Sequence, residues 1–493
     1  MLKELIHKIS KPQEQSLKLQ SMRAAFWSIL GKGGSHIVRM AGSLILTRIL
    51  FPEAFGLMAT ATTILTMIQL FADTGVRTVI IQNPRGAEPE FLHTAYIISI
   101  GRGALLFSIV TLLAWPMASL YDQPDLKGLL LIIGLSPLLL GFENPALALH
   151  IKHFRVEKQV AFELGTQILG LLTSIILAFV MRSVYALAIG TSVSALYRVI
   201  ASYMVHQHRP RFCWDKTIAR EIFHFGKFIF INTMITWAAT NVDVLMIGKF
   251  LDMENLGFYS LGRNFGLLVS ILVYKIVSQS YLPAVSSVAE DLPRVMRIFK
   301  RTQAFFLALA IPASMMLALF ADDIIRLLYD PRYQAASVVF FWIACAGIFQ
   351  VSGHVSGYTF IAMGKPVYET IAMGAGLILV MIFVPLGSVY GGLSGASVGM
   401  FAALISIVIV ESILLIRGLN FTPLEVLRPW AQALIVSASI SGIFLLLRPW
   451  LINPKLYNLP LVFVIGVISL LISAGYYRLS EGPYPFRDFR EKT

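Results

Sequence analysis

Charged side chains occur in this sequence where a hydrocarbon-embedded segment should have none. The first long apolar stretch contains Lys32 and Arg39, and the eighth contains Arg263. A charge near a bilayer centre costs about 2.5–3.5 kcal/mol on insertion scales, so a retained one has a partner or a use. Lys32 and Arg39 are seven residues apart and share one helix face with Ser28, Ser35, Gly42 and Ser43. The second stretch sets Thr62, Thr66, Gln69, Asp73 and Arg77 at helical spacing, and the seventh does so with Asn232, Thr236, Thr240 and Asp243. Three cations sharing a low-dielectric cleft would attract an anionic group more strongly than the same charges in water. Lys275, Arg198, Arg102 and Lys227 read instead as snorkelling or ion-paired side chains. Asp73 and Asp243 lie near span ends, where capping or pairing competes with a polar, ion-coupling role in the cavity. Glu143, Glu163 and Glu411 are candidate proton or cation sites; the competing reading of each is a neutral or paired carboxyl between helices.

Motifs for covalent chemistry are absent. The chain has no phosphate-binding GxxxxGK[ST], no HExxH and no GxSxG; "GKGGS" at Gly31–Ser35 falls inside an apolar span and reads as helix packing. Asp322 and Asp323 with Arg326 lack the third carboxylate of a diphosphate–magnesium motif and read as an acidic helix start. His150 with His153, and His206 with His208, have no third ligand at metal spacing and are expected as solvated loop residues. Cys213 and Cys345 form no metal site. The reading is therefore no enzyme, no metal and no cofactor beyond a coupling proton or sodium ion.

The elements that must position these residues follow from composition. Of 493 residues, 57% are hydrophobic and 14% charged, against roughly 25% charged in a soluble domain. A hydrocarbon core of about 30 Å takes about 20 helical residues, and about fourteen blocks between 24 and 478 reach that length. The fold class is an all-α polytopic membrane protein. Lys and Arg in alternate connections divide 25 to 8, which places both termini in the cytoplasm. The net charge of +13 reflects that bias, and nucleic acid is not an expected partner. Residues 1–22 are polar and basic, with no cleavable apolar core.

A weak internal duplication organises the spans. Arg48–Met58, "RILFPEAFGLM", matches Lys249–Tyr259, "KFLDMENLGFY", at an offset of 201 residues. Six spans separate the copies, so both halves run the same way, as in transporters built from parallel repeats. The expected plan is a tail at 1–22, a six-helix bundle at 23–208, a linker at 209–223 and a second six-helix bundle at 224–420. Two further helices at 421–480 and a tail at 481–493 complete it, with a central cleft between the bundles.

Five segments in order, "LTRILFPEAFGLMA", "LFADTGVRTVIIQ", "ALHIKHFRVEKQVAFE", "ATNVDVLMIGKFLDMENLGFYSLG" and "IIRLLYDPRYQAAS", carry a resemblance. The chain resembles the polysaccharide transporter branch of the multidrug/oligosaccharidyl-lipid/polysaccharide (MOP) exporter superfamily, over roughly residues 20–420. Its motifs look like those of lipid-linked oligosaccharide flippases of the colanic-acid and O-antigen type. The resemblance implies a polyprenyl-diphosphate-linked oligosaccharide carried across the bacterial inner membrane by alternating access, without ATP hydrolysis, in lipopolysaccharide or exopolysaccharide biosynthesis. It also implies membrane lipids and a polymerase/export complex as partners. Lys32, Arg39 and Arg263 would be the cavity cations. Asp330 departs from a glycine frequent in relatives. Two rivals are a multidrug or metabolite exporter of the same superfamily, expected to have an acidic cleft, and a membrane glycan polymerase or ligase, expected to need a large outer loop.

Overall fold

The computed structural model of the protein describes residues 17–71, 76–152, 156–206 and 208–434. Within them the long helices are α1 (Leu17–Ile49), α2 (Pro52–Phe71), α3 (Val76–Gln82), α4 (Pro89–Leu120), α5 (Pro124–Gly141), α6 (Val156–Met181), α7 (Tyr185–Val205) and α8 (Lys216–Phe250). Next come α9 (Met253–Gly266), α10 (Leu268–Ile276), α11 (Leu292–Leu319), α12 (Ala336–Ala362) and α13 (Pro366–Gly418). Helices are the expected answer, because lipid offers the backbone no hydrogen-bond partners and the helix satisfies its own. Among the described residues, nine helices are long and apolar enough to cross a membrane. The chain is an all-α, multi-pass membrane protein.

Local chemistry sets the helix ends. Pro52, Pro89, Pro124 and Pro366 occupy first helical positions, where the missing N–H costs nothing. Asp252, Asp291 and Asp215 accept backbone N–H bonds at the starts of α9, α11 and α8. The N–H groups of Ile218 and Thr217 hold the Asp215 carboxyl below its usual range. Arg48, Lys249 and Arg417 fall in last turns, where a cation meets the negative end of the helix dipole. Within α13, Gly391 and Gly392 depart from helical geometry, and Gly392 takes a φ of +56°. The chain folds back there, so α13 is two spans joined at a glycine hinge.

The structure refines the expected spans. The predicted span at 54–82 is two helices, α2 and α3, around residues outside the description. The spans expected at 367–388 and 392–416 are the two arms of α13. Of the last two, only residues 423–434 are described, and they are helical. That helix begins with a capping box: the Thr422 N–H donates to Glu425 Oε2 at 3.0 Å, and the Glu425 N–H to Thr422 Oγ1 at 3.3 Å. The duplicated segments form the same joint twice. A helix with a basic last turn ends at Ile49 or Phe250, two residues follow, and a helix with an acidic first turn starts. At Asp330, φ is −63°, so no glycine is needed there. Its carboxylate accepts from the Arg332 N–H at 3.0 Å.

The chain forms two compact units, Met1–Met234 and Ile235–Thr493. The division falls inside α8 rather than in the 209–223 linker. The reason is packing: Ile218, Ala219 and Ile222 join Phe91, Leu92 and Ala95 in a core of the first unit. In that unit α1 lies on α6 through its small residues. Ser35 Oγ donates to Gln167 Oε1 at 2.6 Å, and a Cβ on Gly31 would meet Val160 Cγ2 at 2.6 Å. In the second unit α12 is apolar nearly all round and packs against α9, α11 and α13, the pattern of a central helix.

Residues 208–215 strap the end of the first unit. Asn144 Nδ2 donates to His208 O at 2.8 Å, and Ser202 Oγ accepts the Asn144 N–H at 3.1 Å. The Arg211 and Asp215 N–H groups donate to His93 Nδ1 and Thr94 Oγ1. Of the histidines expected to be solvated, His150, His206 and His208 are packed instead: the His208 ring stacks on His93 at 5.2 Å, and His150 lies 5.6 Å from His206; His153 lies outside the described residues. Helices bring them together from positions the sequence separates.

Two expectations follow. Gly262 and Gly266 of α9 press on the backbone of α12, where a Cβ would stand 2.6 Å from Ala336 O and 2.9 Å from Ala344 N. Backbone cannot give way, so Gly266→Val should cost about 1–3 kcal/mol, read as a lower thermal midpoint of the detergent-solubilised protein. Burial first, then His93 and Arg209, push the His208 imidazole below its usual range. The neutral ring's contribution is therefore present above pH ~6.5 and lost as pH falls further. Thermal stability should drop between about pH 7.5 and about pH 5, less steeply in His208→Gln; identical slopes would contradict this.

Candidate functional site

The first unit contains a half-open cavity of ≈ 290 Å³. The Ser99, Arg102, Gly103 and Leu106 stripe of α4 faces it, at the 3-4-7 spacing of one helix side. Close packing shapes the wall: a Cβ on Gly103 would stand 2.6 Å from Pro137 O, and one on Gly141 2.8 Å from Ser99 O. Gln69 enters from α2, Arg77 from α3, Gln159 from α6 and Arg198 from α7, while the segment after α5 supplies Glu143 and Asn144.

Charge in the lining is unbalanced. Among the described lining residues are three guanidinium groups, Arg77, Arg102 and Arg198, and one carboxylate, Glu143. Arg198 Nε donates to Glu143 Oε1 at 2.8 Å, and its guanidinium lies 5.4 Å from the Phe162 ring centroid. Arg102 Nη2 donates to Gln69 O at 3.4 Å. Arg77 meets Glu163, outside the lining, at 3.6 Å with both side chains about half exposed, a pair worth little in water. Gln159 Nε2 donates to Glu163 Oε1 at 2.6 Å, and its own Oε1 is buried with no hydrogen-bond partner. Asn144 is used structurally: its Oδ1 accepts from the Ala146 N–H at 3.1 Å. The Ser99 hydroxyl returns to Ala95 O at 2.9 Å. The arrangement suits binding of an anion by planar, multi-donor groups.

The residues singled out from sequence are distributed differently. Lys32 lies on α1, but its side chain is outside the described residues, as is Asp73 altogether. Arg39 is exposed on α1, with Nη2 3.4 Å from His36 Nδ1. Arg263 and Asp243, expected as separate cavity groups, form one ion pair with Nε 2.9 Å from Oδ2. Tyr259 donates to the same Oδ2 at 2.7 Å, and Arg263 also donates to Thr240 O. Asp243 is 1% exposed, so this is a compensated, buried pair. Its reason is geometric: residues 259 and 263 are one turn apart on α9, and both reach Asp243 of α8. Glu143 and Glu163 are engaged by Arg198 and by Arg77. Thr62 and Thr66 donate to the carbonyls of Met58 and Thr62 in their own helix, both at 2.7 Å. Sequence reasoning set Arg102 and Arg198 aside as snorkelling or paired. Arg198 is paired, and both line the cavity; the Ser99-to-Leu106 stripe was the available signal.

Comparison with known proteins agrees with this architecture. The succinoglycan biosynthesis transport protein ExoT of Rhizobium meliloti is 26% identical over 285 residues, 57% of this chain and 56% of that protein; the chain thus spans little more than half of that relative. The lipopolysaccharide biosynthesis protein WzxC of Escherichia coli is 21% identical over 81% of this chain and 80% of its own length. Among solved structures, the lipid II flippase MurJ in an inward closed conformation superposes with a TM-score of 0.68 at 14% identity, covering 93% of this chain and 99% of that one. It shares the fold. The profile of the family described as "Polysaccharide biosynthesis protein" matches residues 45–338. With more than half of its length matched, the chain belongs to that family.

Proposed function

We propose that the protein is a flippase for a polyprenyl-diphosphate-linked oligosaccharide, moving one repeat unit of a surface polysaccharide across the bacterial inner membrane. The observation that carries this reading is the guanidinium excess of the first-unit cavity. A diphosphate leaving water needs replacement donors, and three arginines supply them without any proton transfer. A volume of ≈ 290 Å³ is at the small end for ligand pockets, which fits a phosphate-sized group rather than a chain of sugars. The prenyl tail stays in lipid, where it needs no protein cavity. Names of relatives support the same class: one transports in succinoglycan biosynthesis, one serves lipopolysaccharide biosynthesis, and the MurJ fold flips lipid II.

In this reading the head-group path opens alternately to either side of the membrane, with both termini cytoplasmic as the 25-to-8 division implies. Lys32 and Arg39 extend the cationic path along α1. Arg263 serves instead to hold α9 to α8 through Asp243. A polymerase/export complex receives the flipped unit.

The test is complementation of a strain lacking the gene. Arg102→Gln should abolish or sharply reduce surface polysaccharide with normal protein level. Loss of one charged hydrogen bond, about 1.5–3 kcal/mol, corresponds to roughly 10- to 100-fold weaker head-group binding. Lysine at 102 should restore part of it. Normal polysaccharide in Arg102→Gln together with Arg198→Gln, or a strain defect confined to drug sensitivity, would contradict the proposal.

A further inference from the structure

Two carboxyl groups of the second unit take no part in the proposed cargo site. Glu411, on the returning arm of α13, is 1% exposed. Neither of its side-chain oxygens has a hydrogen-bond partner, and among the described residues no basic side chain lies within 4.0 Å of them. Glu369, in the first turn of α13, is half-buried and also has an unpartnered oxygen, Oε2.

Both carboxyls rest on the same face of α12. A Cβ on Gly353 would lie 3.1 and 3.3 Å from the two oxygens of Glu411, and one on Gly357 would fall within the carboxyl group of Glu369. Gly353 and Gly357 are one helical turn apart, so the carboxyls sit over points about 6 Å from each other. The missing side chains leave helix backbone facing the acids. Backbone carbonyls accept hydrogen bonds; a carboxylate has none to give, whereas a carboxylic acid has one. Glu411 is seven residues from Gly418, the end of α13, or about 10 Å along the helix. Glu369 stands near the opposite terminus of the same hairpin, closer to its end.

The surrounding groups do not neutralise the pair. On α12, His354 Nε2 is 3.0 Å from Ser270 Oγ, and Tyr358 interacts electrostatically with Glu369. Just before α13, Lys365 Nζ donates to Gly418 O at 3.2 Å and lies 5.9 Å from the Tyr368 ring. On α9 the charge is Arg263, held by Asp243. An ionised carboxylate buried with neither donor nor cation is costly, and two in electrostatic contact are costlier.

We propose that Glu411 and Glu369 form a proton-binding pair in the second unit, with Glu411 holding a proton at neutral pH and Glu369 relaying it. A proton from the aqueous phase forms one O–H bond on a carboxylate oxygen and leaves by breaking it; nothing else is consumed. The site is independent of the cargo, and its test does not read transport.

The experiment is infrared difference spectroscopy on the full chain in liposomes at neutral pH. Wild type minus Glu411→Gln should show the C=O stretch of one carboxylic acid per protein, shifted in D₂O. Glu369→Gln, which keeps Glu411, should retain the band and lose it at lower pH than wild type does, because a repelling neighbour has gone. Absence of the band from the wild-type difference would overturn the proposal, as would its absence together with stabilisation by sodium, the signature of an ionised site with a metal cation. An unchanged alkaline titration in Glu369→Gln would overturn the pairing.

Discussion

Everything in this structure is governed by the cost of holding charge away from water. Only 14% of residues are charged, and those inside the spans are handled in distinct ways. Arg263 is cancelled outright by Asp243, in a pair so buried that removing one partner would leave the other stranded. Arg198 is matched by Glu143 yet remains at a cavity wall. Glu411 has no match at all among the described residues. A single physical penalty thus applies to the same residue classes, and the partner that tertiary packing provides sets how each charge is accommodated.

Packing in turn depends on where side chains are missing. Gly262 and Gly266 bring α9 onto the backbone of α12, and Gly103 and Gly141 bring α4 onto α5. Lipid provides little hydrophobic drive between helices, so close backbone approach and dispersion contacts must do what water does for a soluble core. The same device leaves room for function. Close approach of α4 and α5 sets the wall against which Arg102 lies, while Gly353 and Gly357 give two carboxyls a place to rest.

Much of this was legible in the sequence because the relevant signals are local. Apolar block length and the repeated joint at Arg48 and Lys249 both depend on residues close in the chain, and the joint recurs in both units. The capping box at Thr422 and Glu425 is similarly short-range. What was not legible is partner identity. Asp243 and Arg263 are twenty residues apart and belong to different helices, so spacing displayed two stripes without displaying that they meet. Arg102 and Arg198 are ninety-six residues apart; only the packing of α4 and α7 around α5 makes them neighbours of one cavity. The histidines failed for the same reason, since a loop position says nothing of the strap that packs it.

The duplicated joints make the remaining asymmetry informative. Both units have a basic helix end, a two-residue turn and an acidic helix start, so this local joint is repeated. Their interiors differ in sign. The described lining of the first-unit cavity has more guanidinium than carboxylate, whereas among the described residues of the second unit Glu411 is buried without a cation and Arg263 is cancelled by Asp243. On the two proposals above, the guanidinium-rich interior suits an anion and the carboxyl-bearing one a proton.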